Sequence, residues 1–110
     1  MKPTSLALAL ALLAPTAFAG EAGATITTAI SELGEINGIA LACQQPAIAS
    51  RARNAMQTGA PKTRTNGELF ENATSTAFVA QGKGQVCPDG ATLSARLSNA
   101  EQALGTAGGR

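Results

Sequence analysis

Most of the aliphatic side chains in this chain are alanine, and that choice limits what the chain can fold into. Apolar residues make up 45% of the sequence, but aromatics only 3%. A large aliphatic or aromatic side chain contributes about 1.5–3 kcal/mol when fully buried. Alanine contributes far less, yet it has the highest helix propensity. Runs of Val, Ile, Tyr and Thr, which favour strands, are nearly absent. The sequence therefore predicts an all-α fold with a thin core, and 110 residues suffice for one domain.

The first residues read as an address. Met1-Lys2 gives a short basic start, Leu6 to Leu13 is an unbroken Leu/Ala run, and Pro15 breaks it. Ala17-Phe18-Ala19 then has the small-x-small pattern that signal peptidase cuts after. The apolar run is far shorter than the roughly 20 residues that span a bilayer. These features predict an export signal over residues 1–19, cleavage near Ala19, and no transmembrane span after processing. The expected location is the periplasm or the extracellular space.

Cys43 and Cys87 both lie beyond that segment. In an oxidising compartment an even count predicts one bridge. It would close a loop of about 45 residues, which the chain-entropy view values at roughly 4 kcal/mol. Such a bridge would offset the thin core. Two free buried thiols are the alternative. Lipidation of Cys43 fits poorly, because Ala40 stands where a larger residue is needed and the apolar run is distant.

Residues 20–24 read as a flexible start. Ile26, Ile30 and Leu33 then recur at helical spacing, and Ile36, Ile39, Ala40 and Cys43 resume it after Gly34. Either one long helix tolerates Gly34 and Gly38 or two shorter helices meet there; each glycine costs about 1 kcal/mol relative to alanine in a helix, which favours a break near Gly34–Gly38. Pro46 suits the first turn of the next helix. Its stripe is Ile48, Ala52, Ala55 and Met56, with Arg51, Arg53 and Asn54 pointing away, and Gly59 and Pro61 stop it. Thr65-Asn66-Gly67-Glu68 has the form of a capping box. It precedes Leu69, Phe70, Ala73, Ala77 and Phe78 on one face.

Gly82–Pro88 reads as a loop, after which Asp89 or Thr92 caps the last helix. Leu93, Leu97, Ala100 and Leu104 form the cleanest stripe in the chain. Gly105 is expected to end it, leaving residues 105–110 as a flexible tail. The sum is a single helical domain over residues 25–104, a small antiparallel bundle of four short helices, or five if the first one breaks.

Absence constrains the chemistry. The chain has no His, which removes the commonest general base and metal ligand near neutral pH, together with Ser–His and Cys–His nucleophiles. No metal and no cofactor are expected. The pairs Glu32/Glu35 and Glu68/Glu71 leave a His-free carboxylate or Lys mechanism as the one enzymatic exception. Their places near helix ends suit a dipole role better. Gly82-Lys83-Gly84 lacks the strand and the Gly-Lys-Ser/Thr ending of a phosphate loop. Asn72-Ala73-Thr74 matches a glycosylation triplet but falls inside a predicted helix.

Charge is nearly balanced, with Lys+Arg 8 against Asp+Glu 7. Between Glu35 and Glu68, however, every charged residue is basic: Arg51, Arg53, Lys62 and Arg64. These four form the candidate partner-binding patch. No aromatics interleave with them for base stacking, which disfavours nucleic acid.

Cys87-Pro88-Asp89-Gly90-Ala91-Thr92-Leu93 resembles the Cys-Pro-x-Gly-x-Thr-Leu helix start of some exported bacterial immunity proteins. The resemblance covers under a tenth of the chain and implies an immunity-type factor that binds another protein. In size, export and single bridge the chain is also similar to small periplasmic acid chaperones, without a shared motif. The expected function is that of an exported, non-enzymatic protein that binds another protein as an accessory, inhibitor or immunity-type factor. The alternative is a chaperone for partly unfolded envelope clients. Nothing in the sequence signals an oligomeric state.

Overall fold

The computed structural model describes residues 17–107, with side chains from Thr25 onward. Its helices are α1 (Ala17–Ala42), α2 (Pro46–Gly59), α3 (Arg64–Gly82) and α4 (Gly90–Ala107). The fold is all-α, and no strand occurs among the described residues. Most of the export signal expected over residues 1–19 lies outside the described residues. Residues 20–24, expected as a flexible start, are helical backbone of α1.

The expected break at Gly34–Gly38 does not occur, and α1 is one continuous helix. The reason lies in what packs there. A methyl group built on Gly34 would come 2.6 Å from the Phe70 carbonyl oxygen and 2.7 Å from the Ala73 Cβ. One built on Gly38 would collide with the Thr74 carbonyl oxygen and reach within 2.9 Å of the Ala77 Cβ. The two glycines let the α3 backbone approach α1 closely, and that packing offsets their poor helix propensity. Thr74 secures the crossing by donating its hydroxyl to the Gly34 carbonyl at 3.2 Å.

α1 is the hub. It carries Ile30, Leu33 and Ile36, which with Leu93 and Leu97 of α4 are the largest fully buried side chains. Ala49 and Ala52 of α2 complete this core, and Ala100 and Leu104 continue the α4 stripe as expected. α2 and α4 touch both α1 and each other, whereas α3 makes substantial contact with α1 only. Successive helices alternate in direction, so α3 runs parallel to α1. Gly34 meets Phe70 and Gly38 meets Thr74 along that crossing.

Several local devices set the helix ends. Gln44 takes a left-handed φ of 58° just beyond α1. The Gln45 amide then donates to the Ala40 carbonyl at 2.8 Å and the Gln44 amide to Leu41 at 3.4 Å, a Schellman ending. Pro46 opens α2 as expected. The start of α3 corrects the expected capping box: Thr63, not Thr65, accepts from the Asn66 amide at 3.1 Å. The Asn66 side chain reaches back to the Pro61 carbonyl at 3.0 Å, and Glu68 pairs with Arg64 instead. Asp89 caps α4, accepting from the Thr92 amide at 2.7 Å. Gly105 does not end α4; it keeps a right-handed φ, and the helix continues to Ala107.

Cys43 and Cys87 are bridged, with Cα atoms 5.9 Å apart. The bond ties the end of α1 to the approach of α4, beside the Gln45 side-chain amide, which donates to the Pro88 carbonyl at 3.1 Å.

Candidate protein-binding surfaces

The four basic residues singled out above do not gather on one surface. Arg51, expected to point away, lies along α4 instead. It grips Glu101 with Nη2–Oε1 at 2.9 Å and Nε–Oε2 at 3.2 Å, and donates to the Ser94 and Ser98 hydroxyls at 3.2 and 3.0 Å. Ser94, Ser98 and Glu101 share one face of α4 at helical spacing, which is why a long guanidinium side chain can run along all three. The hydrogen bond to Glu101 raises the Arg51 pKa further above its ordinary value. Arg53, two residues on and roughly 200° around the helix, points to α1 and donates to the Asn37 Oδ1 at 3.4 Å.

That contact opens a short polar chain across three helices. Asn37, only 3% exposed, donates in turn to the Thr74 hydroxyl at 3.2 Å. Lys62 sits in the turn between α2 and α3, and Arg64 is the first residue of α3. Lys62 donates to the Gln57 carbonyl at 2.7 Å, and Arg64 pairs with Glu68 at 3.2 Å with its side chain 89% exposed.

Three of the four paired carboxylates are also engaged, Glu68 by Arg64 and both members of the Glu32/Glu35 pair by Arg96. Arg96 of α4 binds Glu32 with Nη2–Oε2 at 2.8 Å and approaches Glu35 at 3.4 Å. Glu32 and Glu35 therefore clamp α4 to α1 rather than facing each other across a reaction site. Among the described residues, no set of three His, Cys, Asp or Glu side chains gathers as metal ligands.

What the fold leaves open is the space beside α3. Because that helix leans on α1 only, a groove follows the side of α1 that also bears the Arg96 clamp. One cavity in it, about 540 Å³, has Ser31, Glu35 and Ile39 as floor and Leu69, Ala73, Thr76 and Ala80 as wall. A second cavity of about 390 Å³ lies between Thr28 and Glu32 of α1 and Arg96, Asn99 and Ala103 of α4. The lining is small and mixed, with apolar Ile39, Leu69 and alanines set among hydroxyl and carboxylate groups.

The bridged end of the molecule exposes most of its large apolar side chains. Phe78, expected on the buried stripe, is 48% exposed, as are Leu41 at 44%, Val79 at 55% and Val86 at 91%. Phe78 leaves the core because α1 meets the flank of α3 defined by Phe70 and Ala77, and no other helix covers the rest. The sequence pattern did not reveal this groove. Periodicity marks which face of a helix is apolar, but not that one helix lacks a second neighbour.

No described helix is long and apolar enough to cross a membrane. The bridge fits an oxidising compartment. Comparison finds no family model, no curated protein and no solved structure that matches the chain.

Proposed function

We propose that this is an exported, non-enzymatic helical protein that binds another protein, and that the groove between α1 and α3 receives a segment of that partner. The observation that carries the reading is the one-sided packing of α3, which leaves the cavity of about 540 Å³ open along Ile39, Leu69, Ala73 and Ala80. Grooves beside helices are a recurrent way to seat a partner's helix or extended segment. The bridged cysteines support a working place in the periplasm or outside the cell.

The test is affinity capture from the native envelope fraction, with the oxidised protein as bait and bound proteins identified by mass spectrometry. One stoichiometric partner should appear and be lost when Thr76→Arg or Ala80→Arg fills the groove, with far-UV circular dichroism unchanged. A partner that survives both changes overturns the groove assignment. Loss on Lys62→Glu with Arg64→Glu instead moves the binding surface to the basic turn. Many substoichiometric clients that increase in acid or heat would replace this reading with that of a chaperone.

A further inference from the structure

The groove between α1 and α3 has an end wall, and that wall leads to the bridge. Ile39 of α1 and Gln81 of α3 line the groove at this end, together with Gln85 of the loop that follows α3. Gln81 is a buried polar side chain, 8% exposed. Its amide nitrogen donates to the Gln85 carbonyl at 2.9 Å and to the Cys87 Sγ at 3.6 Å. Cys43 lies one turn beyond Ile39, and its backbone amide donates to the Ile39 carbonyl at 2.8 Å. Contacts thus run from the groove lining through Gln81 to the bridge and back to α1.

The loop has few other holds. Residues 85–87 are exposed, Val86 at 91%, and Gly84 before them takes a left-handed φ of 103°. Besides the bridge, residues 85–88 receive hydrogen bonds from two side chains, Gln81 and Gln45. A largely exposed strap with so few contacts depends for its order on its covalent tie.

We infer that the Cys43–Cys87 bridge gates the groove: its end wall is ordered only in the oxidised protein, which confines partner binding to an oxidising compartment. Without the bond the strap swings free, the Gln81 amide loses its acceptor at Gln85, and the groove is left open beside Ile39. Closure needs a disulfide-bearing oxidant. Cys87 is the more exposed of the two cysteines, so its thiolate attacks one oxidant sulfur and forms a mixed disulfide. The Cys43 thiolate then attacks the Cys87 Sγ, and the oxidant departs as two thiols that carry the two cysteine protons. The confinement of binding rests on the groove reading above; the ordering of the wall does not.

Nuclear magnetic resonance of the isotope-labelled protein, before and after dithiothreitol and with no partner present, tests the wall. On reduction the backbone order parameters of residues 84–87 should fall from about 0.85 to below about 0.6. The amides of Leu93, Leu97 and Leu104 should keep helical shifts. A strap that stays rigid overturns the inference. So does a reduced chain whose whole spectrum is unfolded, since the bond then holds the bundle and not the wall. Gln81→Met tests the link with the bridge intact, because it keeps the side-chain length but cannot donate. Gln85 should become mobile in that variant, and a Gln85 that stays rigid overturns the role of Gln81. Capture from the envelope fraction then separates the gate from the groove. The partner held by the oxidised protein should bind at least about tenfold more weakly to Cys43→Ser with Cys87→Ser, its helix content verified by circular dichroism. A partner lost on Thr76→Arg but held by the paired serine variant keeps the groove and overturns the gate. A partner indifferent to Thr76→Arg overturns the groove, while the order of the strap still decides the wall.

Discussion

Gln44 carries a backbone conformation that suits glycine, φ 58°, at the turn where α1 hands over to α2. A side chain in this left-handed region costs about 1 kcal/mol. Gln44→Gly should therefore raise stability by about 0.5–1 kcal/mol in urea unfolding, since the Schellman hydrogen bonds involve only backbone atoms. The entrance to α3 separates two threonines that look equivalent in sequence. Thr63→Ala removes the cap and should cost about 1 kcal/mol. Thr65→Ala should stay within about 0.5 kcal/mol, because that residue is exposed within the first turn. Asp89 ties stability to pH. The hydrogen bond from the Thr92 amide holds its carboxyl below the ordinary aspartate value. A carboxyl whose pKa is lower in the folded state stabilises the fold above its unfolded value, and that contribution is lost as pH falls through the lowered one. Asp89→Asn keeps an acceptor but cannot ionise, so its stability should decline less than that of the parent between about pH 5 and pH 2. Thermal melts across that range check the difference in slope.

The helices differ in how far the sequence reveals them. The buried face of α4 is legible, because Leu93, Leu97, Ala100 and Leu104 are large or regular enough to mark it and all four are buried, although the helix runs past Gly105 to Ala107. α2 is nearly so, except that Arg51 lies against α4 where the pattern pointed it to solvent. A long cationic side chain reaches whatever acceptors its neighbour offers, and the Ser94–Ser98–Glu101 row belongs to a different helix. A charge-reversal test of the basic residues should therefore leave Arg51 out, because reversing it sets a carboxylate against Glu101. α1 is where the reading fails. Glycine in a helix is a penalty when nothing touches it and an asset when a backbone does, and the sequence does not distinguish the two cases. A paired substitution separates them. Gly38→Ala should cost about 1–3 kcal/mol through overpacking against α3, despite the better helix propensity of alanine. Gly67→Ala, in α3 with nothing within 4 Å of its added methyl group, should gain up to about 1 kcal/mol. Denaturant midpoints of the two variants, moving in opposite directions, check both the crossing and its geometry. The groove was hidden for a related reason: its existence depends on how many neighbours α3 has, not on any residue within it.

At the scale of the whole molecule, three helices share the leucine and isoleucine core, and the fourth attaches through a single crossing. The bridge stiffens this arrangement, and its two cysteines lie 44 residues apart in sequence. Cys43→Ser with Cys87→Ser should lower stability by about 4 kcal/mol, since a loop of that size gains most of its freedom in the unfolded chain. A fall in melting temperature, matched by reduction of the parent, checks it. The same bond makes α2 and α3 part of one covalent ring. Lys62 and Lys83 stand exposed on either side of α3. A protease that cuts at one of them opens the ring yet leaves a single molecule on a non-reducing gel. Cuts at both excise α3 as a free peptide, while the two sulfurs still fasten α4 to the α1–α2 hairpin. The helix that carries the open groove is thus the one this protein can lose without coming apart.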